Sequence, residues 1–566
     1  MEQPQPSHRD TVRRRIDAAL GKRECDLVIH DVRWLDVFSA CFRQGSVAID
    51  GGVVVECERH SARRVVDGQG KTLVPGFIDA HVHVESSMML PEAFASSVLG
   101  HGTTSAICDP HELANVVGAR GISYFLEAAT RVPIDLWVMM SSCVPATHLE
   151  TNGGGVIDAL ELAKLGRHPR ALGLAEMMNY PGVLGGDVAI LAKLEAFVGR
   201  PIDGHAPLVR GNKLSAYAAA GIGTCHESSS REEAAEKLQK GIAVWIREGS
   251  VAKDARELSP LLELATSTSM GFCTDDRNPF DIAHEGHVDH VVRTALAVGV
   301  PTEVAYRAAS WSVARHYGLT QGFSRVGAIA PGYQADLVLL DDAASCAVAQ
   351  VFKAGVPATE VPAVDIGNAH DLLRTVRAQP PEPKDLEGPV GQVHVITIEH
   401  GKILTGRRVC AHNAPGVRRI SVLERHGHGE KPANGYVFGF GDLRGAIASS
   451  VGHDSHNLIV VGEKTDDMRV ALAALIESGG GFAVVQDSIV KARLALPYGG
   501  LMSAASPGEL ARAISMLKDA SRAIRCELPE PFLQLAFLSL PLIPTLKLTN
   551  RGLVDVDRFE LISVAA

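Results

Sequence analysis

The sequence predicts an α/β protein: a distorted (β/α)8 TIM-like barrel, a small β-sandwich domain built from both of its flanks, and a C-terminal α/β domain. Three observations carry this. Between about residues 76 and 320, short apolar runs alternate with helical patterns, as repeated βα units require. Parallel strands need crossover helices, and about 250 residues is the usual size of an eight-fold barrel. β-rich stretches stand on both sides of that span. A segment rich in Pro and charge, Gln379-Pro-Pro-Glu-Pro-Lys-Asp-Leu-Glu387, then reads as a linker before further α/β sequence. The expected domains are residues 1–75 with 325–378, residues 76–324, and residues 390–566.

The flanking strands have local signals. Ser46-Val-Ala-Ile49 and Val53-Val-Val55 enclose Asp50-Gly51-Gly52, a hairpin turn. Strand-rich sequence returns at Gly332 to Asp341 and near Val351 to Val356. Within the barrel span one helix can be placed closely. Ser230 and Glu233 form a capping box, Lys237 and Lys240 lie in the last turn, and Gly241 follows as the C′ residue.

Composition narrows the function. Hydrophobic residues make up 46% and charged residues 21%, so the chain can bury a core and is not disordered. Its net charge of −10 argues against binding nucleic acid or an anionic membrane, either of which needs a basic face. No apolar segment follows the polar N-terminus, so no signal peptide is expected. The most apolar stretch, Leu533 to Leu546, is broken by Pro541 and Pro544 and too short to span a bilayer. The ten cysteines include no Cys-x-x-Cys pair. That fits reduced thiols in a cytoplasmic protein and excludes a zinc deaminase of the cytidine type.

The strongest local signal is Val74-Pro-Gly-Phe-Ile-Asp-Ala-His81-Val-His83, an apolar run ending in two histidines. Side chains at i and i+2 of a strand share a face. At the C-terminal end of a barrel strand they point into the mouth where barrel chemistry sits, and paired imidazoles begin a divalent-metal site. Four further strand-like runs end in ligand-type residues: Glu176, His205, His226-Glu227 and Asp275-Asp276. Any one could be a surface polar residue; five at βα spacing define a constellation. His426-Gly-His428 lacks a preceding apolar strand and reads as solvated loop.

With His205, His226 and Asp275 in that order after His81-Val-His83, the chain resembles the amidohydrolase superfamily. Longer strings resemble its bacterial adenine deaminase family: His81-Val-His-Val-Glu-Ser-Ser-Met-Met, Cys108-Asp-Pro-His-Glu-Leu-Ala-Asn-Val-Val-Gly, Leu174-Ala-Glu-Met-Met-Asn-Tyr-Pro-Gly-Val and Gly452-His-Asp-Ser-His-Asn. The likeness runs from about residue 25 to the end. It implies hydrolytic deamination of adenine to hypoxanthine and ammonia by a metal-activated hydroxide, in purine salvage, by a homodimer.

The resemblance also implies roles. Many binuclear relatives bridge their metals with a carboxylated lysine. No lysine lies between Gly173 and Gly186 here, so the bridge falls to Glu176. One cation is expected on His81, His83 and Asp275, the other on His205 and His226. These donors suit manganese, iron and zinc alike; a bridging carboxylate and no thiolate favour manganese, as does the resemblance. Asp275 is the expected proton shuttle, with His111 and Glu85 as candidates for the proton relay and the contact to adenine N1. The loop holding His453, Asp454 and His456 either closes over the barrel mouth and meets the metal centre or is a hydrogen-bonded structural loop. Two other readings fit the fold: a cyclic amidohydrolase or deacetylase, and a metal-retaining scaffold without catalysis, against which the intact Asp275 argues.

Overall fold

A computed structural model describes residues 7–566 other than 59, 368 and 400; the first six residues of the expected 1–75 segment lie outside the described residues. Eight parallel strands make the barrel: Phe77–Val82, Thr103–Cys108, Asp135–Met140, Ala171–Met177, Ile202–Gly204, Thr224–Cys225, Ala243–Arg247 and Met270–Cys273. They follow chain order in a sheet of five and a sheet of three. The first two are buried along their whole length, as parallel strands covered by helices must be.

Two seams join the sheets. Gly223 N donates to Ile202 O at 2.9 Å between the fifth and sixth strands. Between the eighth and first, Asp275 N donates to His81 O at 3.0 Å and His83 N to Asp275 O at 3.2 Å. The barrel is distorted because its fifth and sixth strands are only three and two residues long. Gly204 permits their approach: a Cβ there would stand 2.5 Å from the Thr224 carbonyl oxygen. Phe77, Phe125, Trp245 and Phe272 lie fully inside, each worth about 1.5–3 kcal/mol of burial.

The helix expected after Ser230 spans Arg231–Gln239, with Ser230 Oγ accepting from Glu233 N at 3.3 Å. The cap is one-sided. Glu233 turns to the buried Lys237 Nζ at 2.9 Å and to Leu208 N at 2.9 Å instead of reaching back to Ser230. A buried ammonium is the stronger partner for a carboxylate.

The flanking strands share one eight-stranded sheet. Its hairpin pairs Asp50 with Val53 across Gly51 and Gly52, both at positive φ as the tight turn demands. Strands Leu337–Asp342 and Ala347–Lys353 return from the far side of the barrel to complete it. Lys353 Nζ, 2.6 Å from Asp135 Oδ2 and 2.7 Å from Asp336 Oδ2, ties this sheet to the third barrel strand. The Pro-rich segment after Gln379 is docked and not a free linker. It forms a short 3-10 turn, Pro383–Leu386, and Leu386 is buried in a cluster with Val376, Leu423 and Leu472.

The C-terminal region carries a second eight-stranded sheet and the helices Thr465–Ser478 and Pro507–Ala523. Among the described residues, no helix is long and apolar enough to cross a membrane. Lys547, at 0% exposure, has two carbonyl partners: Nζ donates to Phe537 O at 2.9 Å and Ile403 O at 3.0 Å. Burial without a carboxylate pushes its pKa down to about 7. Between that value and the ordinary lysine value of about 10.4, the unfolded chain binds more protons than the folded one, so this group makes stability rise with pH across that window. Lys547→Met removes the slope, a difference of a few kcal/mol by order of magnitude. Urea midpoints of both proteins between pH 7 and 10 measure it.

Candidate active site

The strand ends meet at the mouth of the barrel. His81 and His83 leave the first strand on one face with Nε2 atoms 3.1 Å apart. Glu176 comes up from the fourth strand between them and the next pair. Its Oε1 lies 3.5 Å from His81 Nε2 and 3.2 Å from His83 Nε2. Its Oε2 lies 2.7 Å from His205 Nδ1 and 3.4 Å from His226 Nε2. One carboxylate oxygen thus faces His81 and His83, with His111 Nδ1 also 3.5 Å away, and the other faces His205 and His226. Asp275 Oδ1 closes the first group, 3.6 Å from His81 Nε2 and 3.2 Å from His83 Nε2. All six side chains are buried.

Neighbouring groups orient these donors. His83 Nδ1 lies 3.0 Å from the Asp109 carbonyl oxygen. A carbonyl only accepts, so Nδ1 carries the proton and Nε2 offers its lone pair to the centre. Tyr217 holds the fifth strand end: its hydroxyl accepts from His205 N at 3.0 Å and donates to Met177 O at 2.7 Å. Asp79 accepts from Thr274 N at 3.1 Å and Thr274 Oγ1 at 2.5 Å, fixing the turn into Asp275.

Charge is balanced by proximity. Burial opposes charge throughout, yet the carboxylates outweigh it and raise the pKa of His81 and His83. Glu176 is held well below the carboxylate range by His81, His205 and His226, which overcome its burial. His83 and Arg247 do the same for Asp275.

His111 stands on the wall of the same cavity, its Nδ1 2.9 Å from Asp109 Oδ2 and its Nε2 3.2 Å from Glu112 Oε1. Glu85 borders a separate crevice and not the cavity that faces the histidines. Its Oε1 accepts from Leu113 N at 3.0 Å, and burial pushes its pKa up to about 7. From the C-terminal region, His453 and Asp454 line the cavity. His453 Nδ1 is 2.6 Å from Glu112 Oε1, and His456 meets the other oxygen of Glu112. Arg425, fully buried, pins the loop through His456 O at 3.1 Å and Gly499 O at 2.7 Å. Glu112 outweighs burial at His453 and raises its pKa to about 9, whereas burial prevails at His456 and lowers it to about 4.

Sequence reading overlooked Arg247, Glu112 and Asp109. Arg247 joins Glu227 and Asp254 and donates to Asp275 Oδ2 at 3.0 Å. The missed signal is an apolar run, Ala243-Val-Trp-Ile, that ends in Arg247 as the other strand ends do.

The residues fit divalent cations. His81, His83 and Asp275 offer donor atoms within 4.8 Å of one another, as do His205, His226 and Glu227. The His205 nitrogen turned to that group is Nδ1, 2.7 Å from Glu176 Oε2 and 3.8 Å from Glu227 Oε1.

A parallel barrel carrying this histidine and carboxylate cluster at its C-terminal mouth defines a metal-dependent hydrolase of the amidohydrolase class. Residues 72–358 match the profile of the amidohydrolase family, and residues 396–560 that of the adenine deaminase C-terminal domain. Adenine deaminase of Methylobacterium sp. (strain 4-46) is 48% identical over 98% of this chain and 100% of its own. That of Cereibacter sphaeroides (strain ATCC 17025 / ATH 2.4.3) is 48% identical over 97% and 98%. That of Sinorhizobium fredii (strain NBRC 101917 / NGR234) is 44% identical over 98% and 100%. The chain belongs to the adenine deaminase family.

Proposed function

We propose that the protein hydrolyses adenine to hypoxanthine and ammonia. What carries the reading is that its likeness to adenine deaminases runs through both the barrel and the C-terminal domain that covers the barrel mouth. The amide-hydrolysing alternatives are not favoured, because the full-length relatives are adenine deaminases.

His81, His83 and Asp275 would hold one divalent cation and His205 and His226 a second, with Glu176 between them. When bound, such cations lower the pKa of water from 15.7 to about 7 and supply a nucleophile at neutral pH. The chain's own residues do the rest. Asp275, fixed by Arg247 on one oxygen, accepts the proton released as water adds to C6 and returns it to the leaving amino group. His111, on the cavity wall and held by Asp109, relays a proton to N1. Glu85, whose pKa burial pushes up to about 7, is the second candidate for supplying the proton that N1 gains. Asp454, with His453 and His456 as its neighbours, closes the purine off from bulk water. Adenine and water become hypoxanthine and ammonia with no atom left over.

Manganese, a homodimer, a cytoplasmic place in purine salvage and the domain limits given above complete the proposal. The metal rests on hard oxygen and imidazole donors without thiolate, the dimer on family likeness, and the compartment on ten free cysteines. The test is chelation followed by reconstitution. The chelated protein is expected to lose nearly all conversion of adenine to hypoxanthine, followed by absorbance. Activity should return in proportion to added Mn2+ up to two ions per chain, with Fe2+ and Zn2+ as comparisons. A chelated, metal-free protein that keeps full activity overturns the metal assignment.

A further inference from the structure

The cavity facing the histidines holds only about 20 Å3 of free space, room for about one water. A purine cannot lie there unless a wall moves. Next to it is a cavity of about 290 Å3, near the lower end for small-molecule sites (about 300–1,000 Å3). The two share Glu227, Arg247, Ile403 and Ile543 as common wall. On the outer side the larger cavity reaches Leu208, 54% exposed, and the side chains of Lys253 and Lys402.

The apolar part of the shared wall, Ile403 and Ile543, belongs to two segments, about residues 402–405 and 534–547. They are laced together at a few points: Gln534 Nε2 to Lys402 O at 2.9 Å, Thr405 N to Pro544 O at 2.9 Å, Thr405 Oγ1 to Leu546 O at 2.9 Å, Thr545 N to Thr405 O at 3.0 Å and to Thr405 Oγ1 at 3.2 Å, and Lys547 to the carbonyls of both Ile403 and Phe537. Between the lacing points only the apolar side chains of Ile403 and Ile543 face both cavities. Apolar contacts are non-directional and can part without stranding a polar group. The polar lacing on either side holds its register.

Resting on the adenine deaminase reading, we propose that the 290 Å3 cavity is an anteroom that takes the planar purine from solvent, and that Ile403 and Ile543 are the door it passes to reach the histidines. Lys547 is a positioning residue that keeps the door segments aligned. Glu227 and Arg247, paired at the threshold, leave no unpaired charge in the path of a neutral base.

The test seals the anteroom in the folded, metal-loaded enzyme. Leu208→Cys is labelled after purification with a bulky maleimide, and Ser269→Cys, beside a cavity at the opposite end of the barrel, is labelled in parallel; treated wild type accounts for the natural cysteines. Labelling Cys at 208 is expected to lower kcat/KM for adenine at least tenfold relative to the same variant before labelling, with metal content unchanged. Labelling at 269 is expected to change it less than twofold. Independently of turnover, saturating adenine should slow the labelling at 208 at least threefold. As a second block, Ala252→Trp fills the same cavity from within and should reproduce the loss. A labelled Leu208→Cys enzyme with unchanged kcat/KM, or labelling that adenine does not slow, overturns the anteroom. A wild-type enzyme that makes no hypoxanthine while adenine still protects position 208 overturns the activity and leaves the anteroom standing.

Discussion

Asp275→Asn lowers kcat for adenine by about 10²–10⁴-fold, the range for removing a general acid–base group, while the protein stays folded. The substitution keeps the shape of the side chain and removes its charge. An amide can neither accept the proton released at C6 nor answer the guanidinium of Arg247, which donates to Asp275 at 3.0 Å. Asp275 also closes the first donor group, 3.2 Å from His83, so some loss of metal accompanies the loss of rate. Steady-state kinetics with elemental analysis on the same samples separates the two: the rate per bound metal still falls at least a hundredfold. An Asn variant that deaminates at the wild-type rate removes Asp275 from the proton path.

Glu176→Ala has the larger effect on the centre itself. One carboxylate faces five histidines, with His81, His83 and His111 on one oxygen and His205 and His226 on the other. Losing a supporting group one layer out typically costs 10–100-fold in metal affinity, and Glu176 stands inside that layer. The expected result is a dialysed protein with less than one cation per chain and no measurable hypoxanthine formation. Stability moves too, because removing one partner of a buried ion pair costs about 3–5 kcal/mol. Elemental analysis after dialysis and thermal melting followed by circular dichroism measure both effects. Glu176→Gln keeps the volume and one acceptor and should melt nearer the wild type while still losing metal. A Glu176→Ala protein with two cations per chain would show that the histidines suffice.

Much of the barrel was legible because its constraints are local. A strand buried on both faces leaves a short apolar run, and its last side chain is set by the two-residue period of the strand. His81 and His83, Glu176, His205, His226 and Asp275 could therefore be read off strand ends one at a time. What was not legible depends on distant pairing. Glu112 sits in a string quoted for its resemblance, but its partner His453 is 341 residues away, and no periodicity links them. The Ser230 cap was half right because Glu233 found a buried lysine, an event of packing. Leu386 turned a Pro-rich stretch into a docked one, since one leucine with a place in a core outweighs composition. Glu85 illustrates the limit of motif reading: it lies in the right string, yet the structure sets it at a separate crevice.

The apolar walls Ile403, Phe537, Leu540 and Ile543 all come from chain beyond residue 400. The barrel supplies the histidines and carboxylates, and the later chain supplies the apolar side chains packed over them. Those side chains lower the local dielectric, so the fixed charges around Glu176 and Asp275 act more strongly than they would in open water.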